Sequence, residues 1–499
     1  MKDNYILSID IGTTGLKYGI YDEHGKNIIF LRKNTPLVKK EYGTLDTEEI
    51  YISVIKGIEE IVRESQIGKN IQVIGIDGQM GGILGVDELW RPVFNFDPPI
   101  NNNYKPYMNK LIHNYGELIS NISGSVPING AKIQYWKNEH EKDFKKIEKI
   151  MSLAGYVTSR LAGLKSQEAF IDHTSTYLYA LGTYEKWSEV LCDTFGIPIS
   201  KLPNIYPSTK IVGFVNNEVS SQCGIPSGIP LIAGSGDTAS SILGAGIVSP
   251  GSYIDIAGTC SVFGICTDRQ FTDTKSHSLI RMRAPLGDIN YLLGVGFGGE
   301  LHSWFLQNII YDKQGDRFQE IKMESEKISA GSNGLLFFPF LGGSFIPPDE
   351  KLRGTWFGLN WEHTAAHMYR SILESIGYEY YCYRDVFQQG VGDFENRPVV
   401  VTGSGKKNEL WNIIKANILQ SDYIILNRDD HENLGTALVA AKGINLIDNV
   451  ESVLKNCIDT EKTITRKKVK TDMYAEKARQ YMEYKNNILN KIYQNYNYS

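Results

Sequence analysis

Residues 9–20, IDIGTTGLKYGI, decide the expected fold of this 499-residue chain. An apolar run containing Asp10 enters a Gly-Thr-Thr turn and a second apolar run follows, a pattern that predicts a β-hairpin. Residues 254–267, IDIAGTCSVFGICT, repeat the pattern with one extra residue before the Gly-Thr. Chance recurrence of Ile-Asp-Ile is the alternative, but the shared turn and flanking runs favour a duplicated unit.

Chain length leads to the same division. A single hydrophobic core stops growing at roughly 250 to 300 residues, so two large domains are expected. The Pro-Gly segment near 247–251 predicts the boundary, with an N-terminal domain over 1–247 and a C-terminal domain over 248–499. Strand patterns alternate with helical periodicity in both halves, which predicts two α/β domains and a terminal helix over Tyr474 to Tyr493.

Composition and charge exclude several classes of protein. Apolar residues make up 42% and charged residues 22%, as in ordinary globular proteins. The net charge of -5 and the scattered basic residues argue against a nucleic-acid partner. An acid interrupts the first apolar run before the length of a signal sequence or membrane span, so a cytoplasmic protein without a membrane partner is expected. The six cysteines show no CxxC spacing and suggest neither disulfides nor a zinc site.

The two Gly-Thr turns are candidate phosphate loops. Such a turn exposes successive backbone N–H groups and hydroxyls, which a phosphate needs, and Lys17 follows the first turn closely enough to add a charge. A purely conformational role in a hairpin is the alternative for each turn alone. Two copies favour a polyphosphate held by both hairpins. No GxxxxGK[ST] string occurs, so this is not a P-loop.

Three further segments bear on chemistry. Asp237, in GSGDTASS, follows an apolar strand and opens a helix, so it fits both an N-cap and a catalytic base at a strand's carboxyl end. TGSGKKNELW, 402–411, is a strand-to-helix turn whose N–H groups suit a nucleotide, or a plain turn. GVGFGG, 294–299, fits the dinucleotide pattern GxGxxG, but it lies deep in the second half and lacks the downstream acid. We interpret its glycines as close helix packing near a nucleotide.

Together these segments resemble the FGGY carbohydrate kinases, from Tyr5 to about Gly443. DIGTTGLK and IDIAGTCS resemble the family's two phosphate loops, GSGDTASS its catalytic-aspartate loop and TGSGKKNELW its adenosine segment. The most specific string, GTWFGLNWEHTAAHMYRSILE from Gly354 to Glu374, satisfies the C-terminal signature at every constrained position. The resemblance implies an α/β fold of two actin-like, ribonuclease-H-like lobes with a duplicated βββαβα core and an interlobe cleft.

Several sugar-facing segments depart from the family pattern. GIDGQMGGILGVD resembles the xylulokinase-type sugar loop, but Gly81 replaces its histidine. FNFDPP, from Phe94 to Pro99, replaces a tryptophan-centred segment, keeping Asp97 and losing an arginine. AKIQYW places Tyr135 at the usual tryptophan, and FLGGSFIPP, from Phe340 to Pro348, replaces a polar string. New specificity and lost activity both fit these departures.

The resemblance implies phosphoryl transfer from Mg-ATP, bound between the lobes, to a hydroxyl of a sugar, polyol or sugar acid. Asp237 is implied as the general base, and Asp10 with Asp237 as the Mg²⁺ positions. The residues implied for ATP are Gly12, Thr13, Thr14, Lys17, Gly258, Thr259, Gly403, Ser404 and Asn408. The residues implied for the substrate are Gln79, Met80, Asp97, Asp172 and Asp237.

Two other functions remain open. A catalytically inactive FGGY-type ligand-binding sensor would explain the altered sugar loops, although Asp10 and Asp237 are retained. A different actin-like ATPase, such as a chaperone or filament protein, would lack the C-terminal signature. The expected partner is a small-molecule sugar or polyol, and a homodimer is compatible with the sequence. The sequence does not name the sugar or the phosphorylated hydroxyl.

Overall fold

The structure is a computed structural model that describes residues 4–311, 316–392 and 397–494. The chain divides into two compact units. The first unit comprises Met1–Val248, Arg281–Asn290 and Asp430–Asp459, and the second comprises Ser249–Ile280, Tyr291–Asp429 and Thr460–Ser499. The first unit therefore includes a helical segment from late in the chain. Within the described ranges, no helix is both long and apolar enough to cross a membrane.

The strands are short and alternate with helices along the chain. In chain order they are β1 Tyr5–Ile11, β2 Gly15–Asp22, β3 Asn27–Asn34, β4 Ile71–Gly78, β5 Ile83–Val86, β6 Pro92–Asp97, β7 Lys149–Met151, β8 Phe170–Asp172, β9 Asn204–Tyr206, β10 Ile211–Phe214, β11 Pro230–Ile232, β12 Ser235–Gly236, β13 Tyr253–Ala257, β14 Cys260–Thr267, β15 Ile280–Arg283, β16 Asn290–Phe297, β17 Leu336–Phe338, β18 Ser344–Phe345, β19 Pro348–Asp349, β20 Thr355–Phe357, β21 Val399–Thr402, β22 Tyr423–Leu426 and β23 Thr460–Ile464.

The α-helices are distributed over both units. They are α1 Thr47–Ser65, α2 Lys105–Ser123, α3 Ile128–Glu139, α4 Glu141–Lys146, α5 Leu153–Ala162, α6 Glu189–Phe195, α7 Asn217–Cys223, α8 Asp237–Gly244, α9 Gly299–Phe305, α10 Asp316–Lys327, α11 Ala365–Val391, α12 Glu409–Ile418, α13 His431–Gly443, α14 Val450–Cys457, α15 Lys468–Tyr484 and α16 Asn490–Gln494.

Both units are built on a sheet in which the five central strands have the same order, while the edge strands differ. The first sheet runs β10-β11-β4-β1-β2-β3, with β12 also pairing with β4, and the second runs β15-β16-β14-β13-β21-β22-β23. In each sheet the opening hairpin is antiparallel, and its first strand pairs in parallel with a later strand, β4 or β21. The predicted hairpins and the predicted duplication are therefore confirmed.

The two faces of β1 explain how the first unit is layered. Leu7, Ile9 and Ile11 point to one face and pack with the buried apolar residues of α1. Ile6 points to the other face and packs with Leu434 and other residues of α13. Because side chains alternate along a strand, Asp10 lies on the same face as Ile6, towards α13.

The signature helix α11 organises the second unit. Arg370 and Glu374 form a buried pair one turn apart, with Nε and Oε1 3.0 Å apart. Glu374 also accepts a 2.9 Å hydrogen bond from Tyr474 Oη on α15. Tyr481 of α15 stacks on Phe338, with ring centroids 4.7 Å apart. The predicted terminal helix is confirmed, and the signature residues hold it against the unit.

Candidate active site

Three neighbouring parallel strands of the first unit end in acids. In the β1–β4 pairing Asp10 lies opposite Asp77, and in the β12–β4 pairing Gly236 lies opposite Gly78. Asp237 follows Gly236 as the first residue of α8. The sequence therefore brings Asp10, Asp77 and Asp237 to one edge of the sheet, the edge where ligands bind in α/β proteins.

Asp10 is buried and paired with Lys17. Its side chain is 2% exposed, and its Oδ2 lies 2.8 Å from Lys17 Nζ, which is also 3.5 Å from Glu432 Oε2. Burial raises the pKa of Asp10, and the Lys17 charge offsets this only in part. For Lys17, burial alone would lower the pKa, but the Asp10 and Glu432 carboxylates outweigh it and raise the pKa. Asp10, Lys17 and Glu432 thus form one cluster.

Asp237 does not cap its helix. The N-cap position is Gly236, and the Asp237 carboxylate accepts hydrogen bonds from Thr238 N, at 2.6 Å, and Thr238 Oγ1, at 3.2 Å. The N-cap interpretation of this aspartate is therefore wrong. Burial, and then the charge of Asp10, raise the pKa of Asp237 to about 7. A carboxylate that titrates near neutral pH suits proton transfer.

Asp172 is linked by hydrogen bonds to the backbone that immediately precedes Asp237. Its buried Oδ1 accepts hydrogen bonds from the N–H groups of Thr174, at 2.9 Å, and Ser175, at 3.1 Å. Thr174 Oγ1 also donates to Asp172 Oδ1 and accepts a 2.8 Å hydrogen bond from Gly236 N. Burial, opposed by these hydrogen bonds, raises the pKa of Asp172 to about 6. Asp172 therefore acts on the Asp237 loop through Thr174.

The sugar-loop residues lie between the first Gly-Thr turn and Asp237. Thr13, on the exposed turn, donates to Gln79 Oε1 at 3.3 Å. Met80 is buried against Gly236, because a Cβ added to that glycine would lie 2.4 Å from Met80 Cε. Tyr177 Oη lies 3.8 Å from Met80 Sδ. Sequence reasoning missed Tyr177, since a tyrosine in the stretch TYLYALGTY carries no chemical signal of its own.

Asp97 uses both of its carboxylate oxygens in hydrogen bonds inside its own domain. Its two carboxylate oxygens accept hydrogen bonds from Lys132 Nζ, at 2.7 Å, and Trp136 Nε1, at 3.0 Å. Lys132 is fully buried and also donates to the carbonyls of Pro98 and Asn101. The AKIQYW helix thus fixes the segment that replaces the family's tryptophan loop. A lysine inside an apolar helical string was the available sequence signal for this pair.

The second unit contains a cavity of about 1010 Å³ beside the second Gly-Thr turn. It brings together four of the residues predicted to bind ATP, namely Gly258, Thr259, Ser404 and Asn408. Gly403 adjoins them with a φ of +79°, and a Cβ there would lie 2.6 Å from the Ala257 carbonyl oxygen. The other predicted ATP residues, Gly12 to Thr14 and Lys17, belong to the first unit.

The GVGFGG glycines pack closely beside this cavity. A Cβ added to Gly294 would lie 2.3 Å from the Tyr383 ring, and one added to Gly298 would lie 2.5 Å from Ser261 Oγ. Gly299 N donates to Gly258 O at 2.9 Å. Gly298 and Gly299 both line the cavity. These contacts agree with the predicted close packing, and the proximity to a nucleotide stays a prediction.

Leu341 and Gly342 of the FLGGSFIPP segment line the same cavity. The sequence predicts that this segment faces the sugar. The other departures, at Gly81, at Phe94 to Pro99 and at Tyr135, belong to the first unit. The FLGGSFIPP change therefore belongs to the second unit and lies beside the second Gly-Thr turn, whereas the residues predicted to bind the sugar belong to the first unit.

Asp77 and Glu432 are acids that sequence reasoning missed. Asp77 is fully buried, and its Oδ2 accepts a hydrogen bond from Thr436 of α13. Burial, and then the neighbouring Asp10, raise the pKa of Asp77 well above its usual value. A signal was present, because IQVIGID ends in an acid just as ILSID does. Glu432 reaches the site only because α13 joins the first unit.

The chain matches a known family over most of its length. Residues 5–244 match the N-terminal domain of the FGGY family of carbohydrate kinases, and residues 257–444 match its C-terminal domain. With the duplicated sheets and the acidic site, these matches define the class. The chain belongs to the FGGY carbohydrate kinases, which are phosphotransferases.

Among individual proteins, the chain is 26% identical over 462 residues to a xylulose kinase of Bacillus subtilis (strain 168), covering 91% of each chain. Its fold is similar to that of a gluconate kinase from Lactobacillus acidophilus, with a TM-score of 0.88, 22% identity and coverage of 98% and 100% of the two chains. A ligand-bound xylulose kinase from Lactobacillus acidophilus gives a TM-score of 0.85 and 23% identity, with the same coverage.

Proposed function

We propose that this chain transfers a phosphoryl group from Mg-ATP to a hydroxyl of a sugar, polyol or sugar acid, with Asp237 as the general base. The observation that carries the proposal is the convergence of Asp10 and Asp237 on one sheet edge, with the pKa of Asp237 raised to about 7. Phosphoryl transfer asks mainly for positioning and charge compensation, and these residues offer both.

Asp237 would accept the proton of the attacking hydroxyl. A base works best when its pKa lies near the working pH, because it is then ionised and still able to bind a proton. Hydrogen bonds that join Asp172 to Thr174 and Thr174 to Gly236 support this role, because they fix the backbone immediately before the Asp237 carboxylate. Asp172 would thus be a positioning residue at the substrate side.

Each unit carries residues that we propose to contact ATP. In the second unit Gly258 and Thr259 would meet phosphates, and Gly403, Ser404 and Asn408 would line the adenosine side of the cavity. Its volume of about 1010 Å³ is ample for a nucleotide. In the first unit the turn from Gly12 to Thr14 exposes both threonines, and Lys17 adds the nearby positive charge.

The residues present fit a magnesium ion. Mg²⁺ prefers oxygen ligands and is usually bound through one or two carboxylates. Asp10 Oδ1 is buried and, among the described residues, has no hydrogen-bond donor apart from the neighbouring Asp77 carboxyl group, which a cation could replace. Asp10 and Asp237 would hold the ion, which supplies charge neutralisation for the transferred phosphate.

The substrate would be a polyhydroxylated molecule bound near Gln79 and Met80. Both lie between the first Gly-Thr turn and the Asp237 loop. Asp97 would contribute indirectly, because its bond to Lys132 fixes the Phe94 to Pro99 segment. Related proteins are named for xylulose and gluconate, a ketopentose and an aldonic acid. Gly81 and the Phe94 to Pro99 segment differ from the xylulokinase pattern, so the present substrate should differ in shape or substitution.

A coupled ADP-release screen over ketopentoses, hexuloses, polyols and aldonic acids tests this proposal. A kinase releases ADP only with its sugar, a sensor releases none, and a chaperone-type ATPase needs no sugar. With the best sugar, Asp237→Asn should stay folded and bind ATP while kcat falls by about 10² to 10⁴-fold. Asp46→Asn is the matched control, because Asp46 is the N-cap of α1 and asparagine caps equally well. If Asp237→Asn keeps more than about a tenth of kcat, the base assignment is wrong.

A further inference from the structure

Asp10 and Asp77 face each other across two parallel strands, and one carboxylate oxygen of each has no hydrogen-bond donor outside the pair among the described residues. Asp10 Oδ2 is bound to Lys17 and Asp77 Oδ2 to the Thr436 hydroxyl. The other oxygen of each, Oδ1, is buried and has no hydrogen-bond donor outside the pair within the described part of the chain. The two carboxyl groups contact each other, and this contact lowers the pKa of Asp10 and raises the pKa of Asp77. Two buried acceptors side by side are unfavourable unless a proton donor or a cation lies between or beside them.

The charges around this pair are strongly unbalanced. Asp237 and Glu432 both act electrostatically on this cluster, in addition to Asp10 and Asp77. Among the described residues, Lys17 is the positive side chain within ion-pair distance of these four acids, and it contacts only Asp10 and Glu432. Burial and mutual repulsion raise the pKa values of Asp10, Asp77 and Asp237, and Lys17 alone does not offset this repulsion. A small divalent cation would restore the balance.

Asp77 is held in a fixed orientation by a chain of hydroxyl groups. Thr436 Oγ1, which binds Asp77 Oδ2, lies 2.7 Å from Ser240 Oγ, and Ser240 Oγ lies 2.5 Å from Ser235 Oγ. The chain joins α13, α8 and β12 behind the acids. Because Oδ2 is taken up by this chain, Oδ1 is the oxygen left for a ligand on the side of Asp10.

We propose that Asp77 is a further carboxylate ligand of the cation site, and that Asp10 and Asp77 together bind a divalent cation before the nucleotide arrives. All available donors are carboxylate oxygens, which favours a hard ion such as Mg²⁺ or Mn²⁺ that keeps several waters. The identity of the ion rests on the proposed function, since a phosphotransferase of this kind uses the metal with its nucleotide. The binding step itself is independent of turnover.

A purely structural role for Asp77 predicts a different effect of its replacement. If Asp77 only ties α13 to β4 through Thr436, its replacement would change the free energy of unfolding and leave metal affinity unchanged. If it is a ligand, Asp77→Asn keeps a hydrogen-bond acceptor for Thr436 and should preserve the fold. The same change should weaken the binding of the ion. Metal affinity therefore separates the two roles.

The test is a titration of the full chain with Mn²⁺ in the absence of nucleotide. Electron paramagnetic resonance measures the concentration of the free ion. We expect Asp77→Asn and Asp10→Asn each to weaken Mn²⁺ binding by about tenfold or more, and Asp46→Asn, a half-buried aspartate on α1, to bind as the wild type does. Circular dichroism confirms that each variant is folded. Should Asp77→Asn not fold, Asp77→Ser keeps a hydroxyl beside Thr436 and carries the same expectation.

Two results overturn the inference. The first is a folded Asp77 variant with wild-type affinity while Asp10→Asn binds weakly, an outcome that leaves Asp10 and the proposed kinase intact. The second is a wild-type protein that binds no Mn²⁺ without nucleotide yet is an active kinase. Weakened binding in both aspartate variants supports the inference even if the sugar screen finds no substrate.

Discussion

Gly81 lies directly against Pro99: a Cβ added to Gly81 would stand 3.1 Å from Pro99 Cγ and 3.2 Å from Pro99 Cβ. Gly81 is the position where the xylulokinase-type loop has a histidine, and Pro99 ends the segment that replaces the tryptophan loop. The two departures therefore meet in space. The proline occupies the room that a side chain at residue 81 would need, so the two changes belong together.

We expect Gly81→Ala to lower the free energy of unfolding by about 1 to 3 kcal/mol, because the added methyl group overpacks against Pro99. Pro99→Ala should relieve much of this loss, giving a coupling of about 0.5 to 3 kcal/mol in a double-mutant cycle measured by urea unfolding. Gly116→Ala on α2 is the control, since its Cβ would meet only Ile112 at 3.6 Å. Additive effects of the two changes would show that the contact is unimportant.

D-xylulose should not be the best substrate. Gly81 removes an imidazole that could hydrogen-bond a sugar hydroxyl, and a site that lacks a polar partner discriminates poorly for the hydroxyl which that partner would contact. In the substrate panel, another ketose, polyol or sugar acid should therefore give the highest kcat/KM. The highest kcat/KM with D-xylulose would contradict this expectation.

The pKa of Asp237, raised to about 7 by burial and by Asp10, has two consequences for pH dependence. As the base, Asp237 must be ionised, so kcat/KM should rise with pH through about 7. The folded state also holds the proton more tightly than the unfolded state, whose pKa is near 3.8. Stability is therefore lost as pH rises between these values.

Asp237→Asn removes this loss of stability at higher pH, because asparagine does not titrate. The variant should be more stable than the wild type above about pH 7, by on the order of a few kcal/mol, and equally stable below about pH 4. Thermal unfolding of both proteins across this range, without added metal, measures the difference. An equal difference at every pH would mean that Asp237 does not titrate on unfolding.

Gly403→Ala should weaken ATP binding. Its φ of +79° suits glycine, and its Cβ would lie 2.6 Å from the Ala257 carbonyl oxygen, which precedes Gly258 in the second phosphate loop. We expect KM for ATP to rise about tenfold or more, which corresponds to about 1.4 kcal/mol. Gly334→Ala controls for backbone strain, because Gly334 has a φ of +93° and open space around it. An unchanged KM for ATP in Gly403→Ala would contradict the proposed adenosine side.

Asp255 matches Asp10 in the sequence repeat but should behave as a structural residue. It is fully buried, its Oδ2 is paired with the buried Lys415, and its Oδ1 accepts a 2.7 Å hydrogen bond from Tyr380 Oη. Asp255→Asn should lower the free energy of unfolding by about 3 to 5 kcal/mol, because Lys415 would be left buried and uncompensated.

Asp10→Asn should have a much smaller effect in urea unfolding, because Lys17 is partly exposed and keeps Glu432 as a partner. The double change Asp255→Asn with Lys415→Met should recover part of the stability lost in the single variant. Equal losses for Asp255→Asn and Asp10→Asn would show that the two repeats still serve the same purpose.

The sequence by itself determined the hairpins, the duplication and the family. Alternating apolar residues around IDIGTT and IDIAGT predict local pairing that depends only on near neighbours, and β1–β2 and β13–β14 have the predicted turns. The α11 signature and the ATP segments were equally readable, because each is contiguous. Asp237 was identified as a candidate, but its local pattern fitted a cap and a base equally.

Only the tertiary structure decided between such alternatives. Gly236 is the N-cap of α8, which excluded the capping role of Asp237. Long-range packing made Asp255 the partner of a buried lysine, whereas it placed Asp10 in the candidate site. The same packing added Asp77 to the site, through the register of β1 and β4. Burial and charge are set by residues distant in sequence, and so are the pKa values that follow from them. A local string therefore cannot specify them, whereas it can specify a turn.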